Sequence, residues 1–173
     1  MDDRIVRTVD LVPTLLKLCG LPVPEHVQGE SLTTYLAGDD RDLDLPAFFE
    51  TGVWLAPPPG MDPDHIRYPE LLDLLEIRDK SVGTLALKRD FVPLIDSARD
   101  RMIRQGRWKL VRLALRSGPM YRLYDMVKDP NATVDVAAQF PQVVVALRQE
   151  LDAWGQEWPA PGLSQDSVGA VLN

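Results

Sequence analysis

The stretch Asp10-Leu-Val-Pro-Thr-Leu-Leu-Lys-Leu-Cys19, followed at once by Gly20, decides how the rest of the chain is read. Aspartate suits an N-cap, Pro13 falls in the first turn and Gly20 supplies a stop, so the segment predicts a helix. Leu11, Leu15 and Leu18 fall on one stripe of that helix and Val12, Leu16 and Cys19 on the next, which leaves Thr14 and Lys17 to face water. A helix of this kind needs cover on most of its sides, and few segments of this chain supply it. Its excess of apolar surface implies that something larger packs against it.

Working outward, Pro22 and Pro24 enforce an extended stretch to Gly29, and Ser31 to Ala37 ahead of Gly38 reads as a short capped helix. Asp39 to Asp44 is an acidic loop, and Ala47 to Thr51 has strand character between Pro46 and Gly52. The proline-rich run from Ala56 to His65 predicts a loop or excursion. A helical pattern in Leu71, Leu72, Leu74 and Leu75 follows. From Asp100 the pattern changes to short strands: Arg101–Arg104 and Arg107–Leu113 form a hairpin around Gln105-Gly106, and Tyr121–Asp125 makes the next strand. Phe140-Pro141 opens a last helix, in which Val143, Leu147, Leu151, Trp154 and Trp158 recur on one face, and Pro159 ends it. The tail beyond is rich in Gly, Ser, Pro and Gln and reads as mobile.

With 173 residues, 45% of them hydrophobic, the chain is long enough to bury a core without disulfides, and its one cysteine, Cys19, excludes an internal disulfide framework or a CxxC zinc site. No secretory signal is visible at Met1, so the chain as written reads as cytoplasmic, and no apolar run is long enough for a membrane span. The net charge of −7 argues against nucleic acid as a partner. Between Ile77 and Arg116, however, 11 Lys/Arg stand against 4 Asp/Glu. This basic middle either faces an anionic ligand or pairs with acidic neighbours.

A search for hydrolytic chemistry finds no nucleophile elbow, no H-E-x-x-H and no phosphate-cradling loop. The two histidines, His26 and His65, sit in different proline-rich loops. Asp62-Pro-Asp-His65 is the nearest approach to a ligand set, although Asp and Pro are also ordinary turn residues. Cys19 reads as a packed structural thiol near a helix C-terminus. Glu50 has the chemistry of a general acid or base but no identifiable partner in sequence. Asn131-Ala-Thr133 matches the glycosylation sequon, which matters only in a secretory compartment.

Three blocks then fall in a telling order. The first runs from Thr8 through Asp10-Leu-Val-Pro-Thr-Leu-Leu-Lys-Leu-Cys-Gly20 to Gly29-Glu-Ser-Leu32, Tyr35-Leu36 and Gly38. The second is Arg101-Met-Ile-Arg-Gln-Gly-Arg-Trp-Lys-Leu-Val-Arg112, and the third Tyr121-Arg-Leu-Tyr-Asp-Met-Val-Lys-Asp-Pro130 with Val136-Ala137 and Pro141. Together they resemble the C-terminal portion of the sulfatase family within the alkaline-phosphatase-like superfamily. The resemblance implies an α+β fold: the remnant of an α/β domain, then a small antiparallel sheet packed on a long C-terminal helix. It implies residues 1–51 as the trailing part of the catalytic domain, 52–99 as a proline-rich and helical insertion, 100–159 as the small domain and 160–173 as a flexible tail.

Complete family members hydrolyse sulfate esters with a formylglycine made in a C/S-x-P-x-R motif, beside a divalent cation, normally calcium. Here Cys19-Gly20-Leu21-Pro22 places the proline one residue too late and has no matching arginine. No catalytic residue and no metal ligand is therefore carried over, and no cofactor is expected in this chain. Whether the chain is an enzyme stays open. The expected function is that of a fragment which contributes to sulfuric ester hydrolysis only in the complete enzyme and is inactive alone. The alternative is a non-catalytic interaction module docking through its apolar first helix. The expected partner is the upstream catalytic part or a second copy of the chain, with neither nucleic acid nor membrane. Arg104, Arg107 and Lys109 on the basic hairpin are the candidate anion contacts.

Overall fold

The computed structural model describes residues 4–39, 43–54 and 56–157. They fall into two compact units, one of residues 1–47 with the hairpin tip Arg104–Trp108, the other of residues 48–103 and 109 onward.

In the first unit a 3-10 turn at Thr8–Asp10 leads into α1, Leu11–Leu18, and a short α2, Thr33–Leu36, follows an extended stretch. The helix at Asp10 forms as expected, but its aspartate does not act as an N-cap. The Asp10 carboxylate is fully buried and receives Arg7 in a two-pronged pair, with Nη2 at 2.6 Å from Oδ1 and Nε at 2.9 Å from Oδ2. The backbone N–H groups of Glu30 and Arg7 also donate to it, at 2.8 and 3.1 Å. Thr14 was expected to face water. It is buried instead, because its hydroxyl donates to the Asp10 carbonyl at 2.5 Å and accepts the Leu32 N–H at 2.9 Å. These bonds stitch the polar side of α1 to the Gly29–Leu32 segment. A buried polar group is tolerable only when so satisfied.

Gly29 makes the close approach possible. Its φ is +93°, and a Cβ there would lie 2.4 Å from the Val9 carbonyl oxygen. Ser31–Ala37 shortens to one helical turn beginning at Thr33, since Leu32 gives its N–H to Thr14. Cys19, expected to be packed, is exposed.

The second unit is built on a sheet of order β1-β4-β5-β6, formed by Ala47–Glu50, Arg101–Gln105, Trp108–Leu113 and Met120–Asp125. Ala47 and the β4–β5 tip group with the first unit. The tip turns at Gly106-Arg107, one residue later than the sequence suggested, and Gly106 takes the positive φ of 50° that a tight hairpin needs. Alternating residues of the sheet face inward, so Ile103, Leu110 and Leu123 are fully buried. The helix α5, Pro141–Glu157, adds Leu147 and Leu151 to this core, and Trp154 stacks on Phe48 of β1 at 5.0 Å. Val143 and Trp154 are half-buried, while Trp158, Pro159 and the expected tail lie outside the described residues. An α+β fold with an antiparallel sheet and a long C-terminal helix is what the sequence led us to expect.

Residues 71–99 differ more. The leucine pattern at 71–75 gives a single turn, α3 at Leu71–Leu74, and the chain then enters a hairpin of β2, Leu75–Asp79, with β3, Thr84–Leu87. Branched Ile77 and the Lys80–Gly83 turn favour the strand over continued helix. A short α4, Val92–Ser97, carries Ile95 into the core.

Burial pushes the Asp10 carboxyl up, but the Arg7 guanidinium and the Glu30 and Arg7 N–H groups outweigh it and hold it below the ordinary aspartate range. A carboxylate depressed by folding contributes stability above its unfolded pKa, near 4, and that contribution is lost as pH falls below it. Asp10→Asn is therefore expected to cost about 3 kcal/mol at neutral pH and to flatten the loss of stability on acidification, as read by urea unfolding at several pH values. Gly29→Ala is expected to destabilise more than Gly20→Ala, since only the former places a Cβ against backbone. Equal melting temperatures for the two variants would contradict the packing described.

Candidate functional site: an exposed apolar helix face

With Asp10, Pro13 and Thr14 turned inward, the other side of α1 is bare. Leu11, Leu15 and Leu18 are 55, 60 and 58% exposed, and Val6, Val9, Val12 and Leu21 extend the surface around them. The sequence anticipated this excess. Single exposed leucines need no explanation, but several on one face of a helix make a candidate interaction surface. Lys17 is its one basic group in the last turn.

The other candidate residues resolve into structural roles. His65 is buried, with Nε2 2.9 Å from Asp100 Oδ1 and Nδ1 2.7 Å from the Ile66 carbonyl oxygen. Asp100 Oδ1 also accepts the Ala114 N–H at 2.8 Å, and the Asp100 N–H donates to Thr51 Oγ1 at 3.0 Å. The loop bearing His65 pairs alongside residues 114–116, through Ile66 N–H to Ala114 and Arg116 N–H to Asp64. Trp54 meets the imidazole edge-on at 5.4 Å. Both ring nitrogens face oxygens, so His65 is committed as a staple between loop and sheet.

The possible ligand set at Asp62–His65 is dispersed by this arrangement. Asp62 accepts the Asp64 N–H at 2.9 Å, closing a turn. Asp64 turns to the Ser117 hydroxyl and N–H, which, with Arg116, hold its carboxyl below the ordinary range. Among the described residues no group of three His, Cys, Asp or Glu is placed to hold a metal ion. His26 is exposed in its loop. Glu50, which seemed to lack a partner, has two: the Arg99 guanidinium and Arg101 Nε at 3.2 Å. Sequence could not pair residues about fifty positions apart.

The three candidate anion contacts are spread over both units. In the first, the Arg104 guanidinium is turned onto the Gly106 and Trp108 carbonyl oxygens, and Arg107 lies over the Trp108 ring at 5.2 Å. In the second, Lys109 borders a shallow cleft of about 460 Å³ with Phe49, Met102 and Val111. At the sequon, Asn131 is exposed in a turn where Asp129 accepts the Thr133 and Val134 N–H groups at 2.6 and 2.8 Å.

No known protein-family profile matches the chain. Its fold, a small antiparallel sheet with a long helix, is similar to parts of larger solved structures. Phosphonate monoester hydrolase of Agrobacterium radiobacter superposes with a TM-score of 0.51 at 24% identity, covering 89% of this chain and 26% of that one. A 2-O GAG sulfatase superposes at 0.50 and 23%, covering 86% and 24%. In sequence, the chain is 24% identical to mouse arylsulfatase K over 148 residues, 85% of this chain and 21% of the relative, and 25% identical to the human protein. The chain is thus similar to sulfatases and to a phosphonate monoester hydrolase, and it spans about a fifth of the length of the curated relatives it matches.

Asp100→Ala strands both the buried His65 Nε2 and the Ala114 N–H, so a loss of about 2–3 kcal/mol is expected in urea unfolding, with a smaller loss for His65→Ala. A neutral Asp100→Ala would contradict the staple.

Proposed function

We propose that this chain acts as the C-terminal part of a sulfatase-like hydrolase and supports sulfuric ester hydrolysis only when the catalytic part of such an enzyme covers the apolar face of α1. The observation that carries this reading is the orientation of α1, whose polar side is locked inward while Leu11, Leu15 and Leu18 remain in water. Burying each such leucine completely stabilises an assembly by about 1.5–3 kcal/mol, and roughly half of that remains to be gained where half the side chain is bare. Support for the catalytic part as the occupant comes from the relatives, whose chains are about five times as long as the matched region.

On this reading the bond-breaking groups and the divalent cation belong to the covering part. The residues described here position and seal. Arg104, Arg107 and Lys109 supply positive charge near the hairpin tip and, in the assembled enzyme, help attract an anionic ester. Their share is modest, because Arg104 is already bonded to backbone carbonyl oxygens.

The purified chain is expected to show no turnover of an aryl sulfate with calcium or other divalent metals. Co-expression with the catalytic part of a sulfatase relative is expected to yield a stable complex with activity. Leu15→Asp should reduce complex formation about tenfold or more while leaving the fold of the chain intact by circular dichroism. Turnover by the chain alone would overturn the proposal. A complex indifferent to Leu15→Asp would leave only a docking module that uses some other surface.

A further inference from the structure

The β2–β3 hairpin forms its own two-stranded sheet. Leu75 faces Leu87, Glu76 faces Ala86 and Ile77 faces Leu85, which puts four aliphatic side chains on one face. Two of them, Ile77 and Leu85, are 56 and 63% exposed and stand directly opposite each other. Two strands with a half-bare aliphatic face are marginal on their own in water. The root is anchored by the buried Leu74, and the tip by Asp79, which accepts the Ser81 hydroxyl and N–H at 2.6 and 2.8 Å.

The root also fixes where the backbone groups point. Lys88 N–H donates to the Leu74 carbonyl at 2.8 Å, so Leu74 and Lys88 are a hydrogen-bonded pair. Bonded and non-bonded pairs alternate along an antiparallel ladder, so Glu76 and Ala86 are bonded to each other, while Leu75 and Ile77 direct their N–H and C=O groups to the outer edge of β2. A bulge after Ile77 leaves Arg78 with no residue opposite it on β3. Glu76 and Arg78 are exposed, and neither forms an ion pair among the described residues.

We infer that β2 is a self-recognition edge, through which two copies of this chain pair antiparallel about Ile77 to make one four-stranded sheet. The sequence Glu76-Ile77-Arg78 is complementary to itself when reversed. With Ile77 opposite the second copy's Ile77, each Glu76 meets an Arg78, twice by symmetry, in the non-bonded positions where side chains approach most closely. A slip of one residue sets Ile77 against Glu76 or Arg78 and mismatches the outward backbone groups, while a slip of two sets Glu76 against Glu76 or Arg78 against Arg78. The same pairing merges the two half-bare Ile77–Leu85 faces into one apolar surface. Charge order and backbone direction thus select a second copy over a foreign strand, and this site shares no residue with α1.

Sedimentation equilibrium of the full chain tests the inference. A dimer in the micromolar range is expected. Glu76→Arg and Arg78→Glu should each weaken it about tenfold by setting like charges together, and the double variant should restore it. Ile77→Pro removes an outward N–H and no ladder bond of the hairpin, and trims the Ile77–Leu85 contact, so it should abolish the dimer while lowering the melting temperature of the monomer only slightly. A monomer throughout that range, or a dimer that ignores all these changes and yields instead to Leu15→Asp, would overturn the inference.

Discussion

The buried pair of Asp10 with Arg7 is the constraint on which the first unit rests. A carboxylate with no exposed surface needs every lone pair answered, and the answers come from the Arg7 guanidinium and from the N–H groups of Arg7 and Glu30. Those partners fix the angle of α1 against the Gly29–Leu32 segment, and Thr14 repeats the device one helical turn on. The polar side of the helix is therefore spent on its own unit. Leu11, Leu15 and Leu18 are thereby left facing outward. The exposure follows from electrostatics: polar satisfaction selects which face is hidden, and the apolar face is left bare.

The second unit obeys a different logic. Its core is an ordinary alternation of inward side chains along a sheet, closed by the helix Pro141–Glu157. Around that core, long loops are held by specific polar staples: His65 to Asp100, Glu50 to Arg99 and Arg101, Asp64 to Ser117. The residue types that make hydrolytic chemistry elsewhere are used here to secure loops to strands. A histidine with both nitrogens engaged and a glutamate between two arginines have no capacity to spare for a metal or a substrate proton. The role proposed above, that of a part which positions and seals, rests on this architecture.

Much of this was legible in the sequence where a local period or a turn residue carries the signal. The helix at Leu11–Leu18, the hairpin around Gly106, the strand at Met120–Asp125 and the amphipathic final helix all declare themselves within a dozen residues. Excess apolar surface on the first helix was equally visible, because it is a property of composition on one face. What escaped is what depends on distant partners. An aspartate before a helix looks like an N-cap unless one knows that Arg7 and Glu30 converge on it. Thr14 looks solvent-facing until Leu32 donates to it, and Glu50 looks unpartnered until Arg99 and Arg101 arrive from far along the chain. Cys19 illustrates the opposite error: apolar neighbours suggested burial, yet it is exposed. The stretch at Leu71–Leu75 misled for a further reason, since clustered leucines fit both periods and the following turn decides between them.

Cys19, the lone thiol, lies one residue beyond Leu18 and reports directly on the central claim that the α1 surface is open in this chain and covered in the assembled enzyme. The measurement is its rate of modification by a neutral thiol reagent, alone and after complexation with a sulfatase catalytic part. Rapid labelling of the isolated chain and strong protection in the complex are expected. Slow labelling of the isolated, folded chain, or equal rates in both states, would contradict that claim.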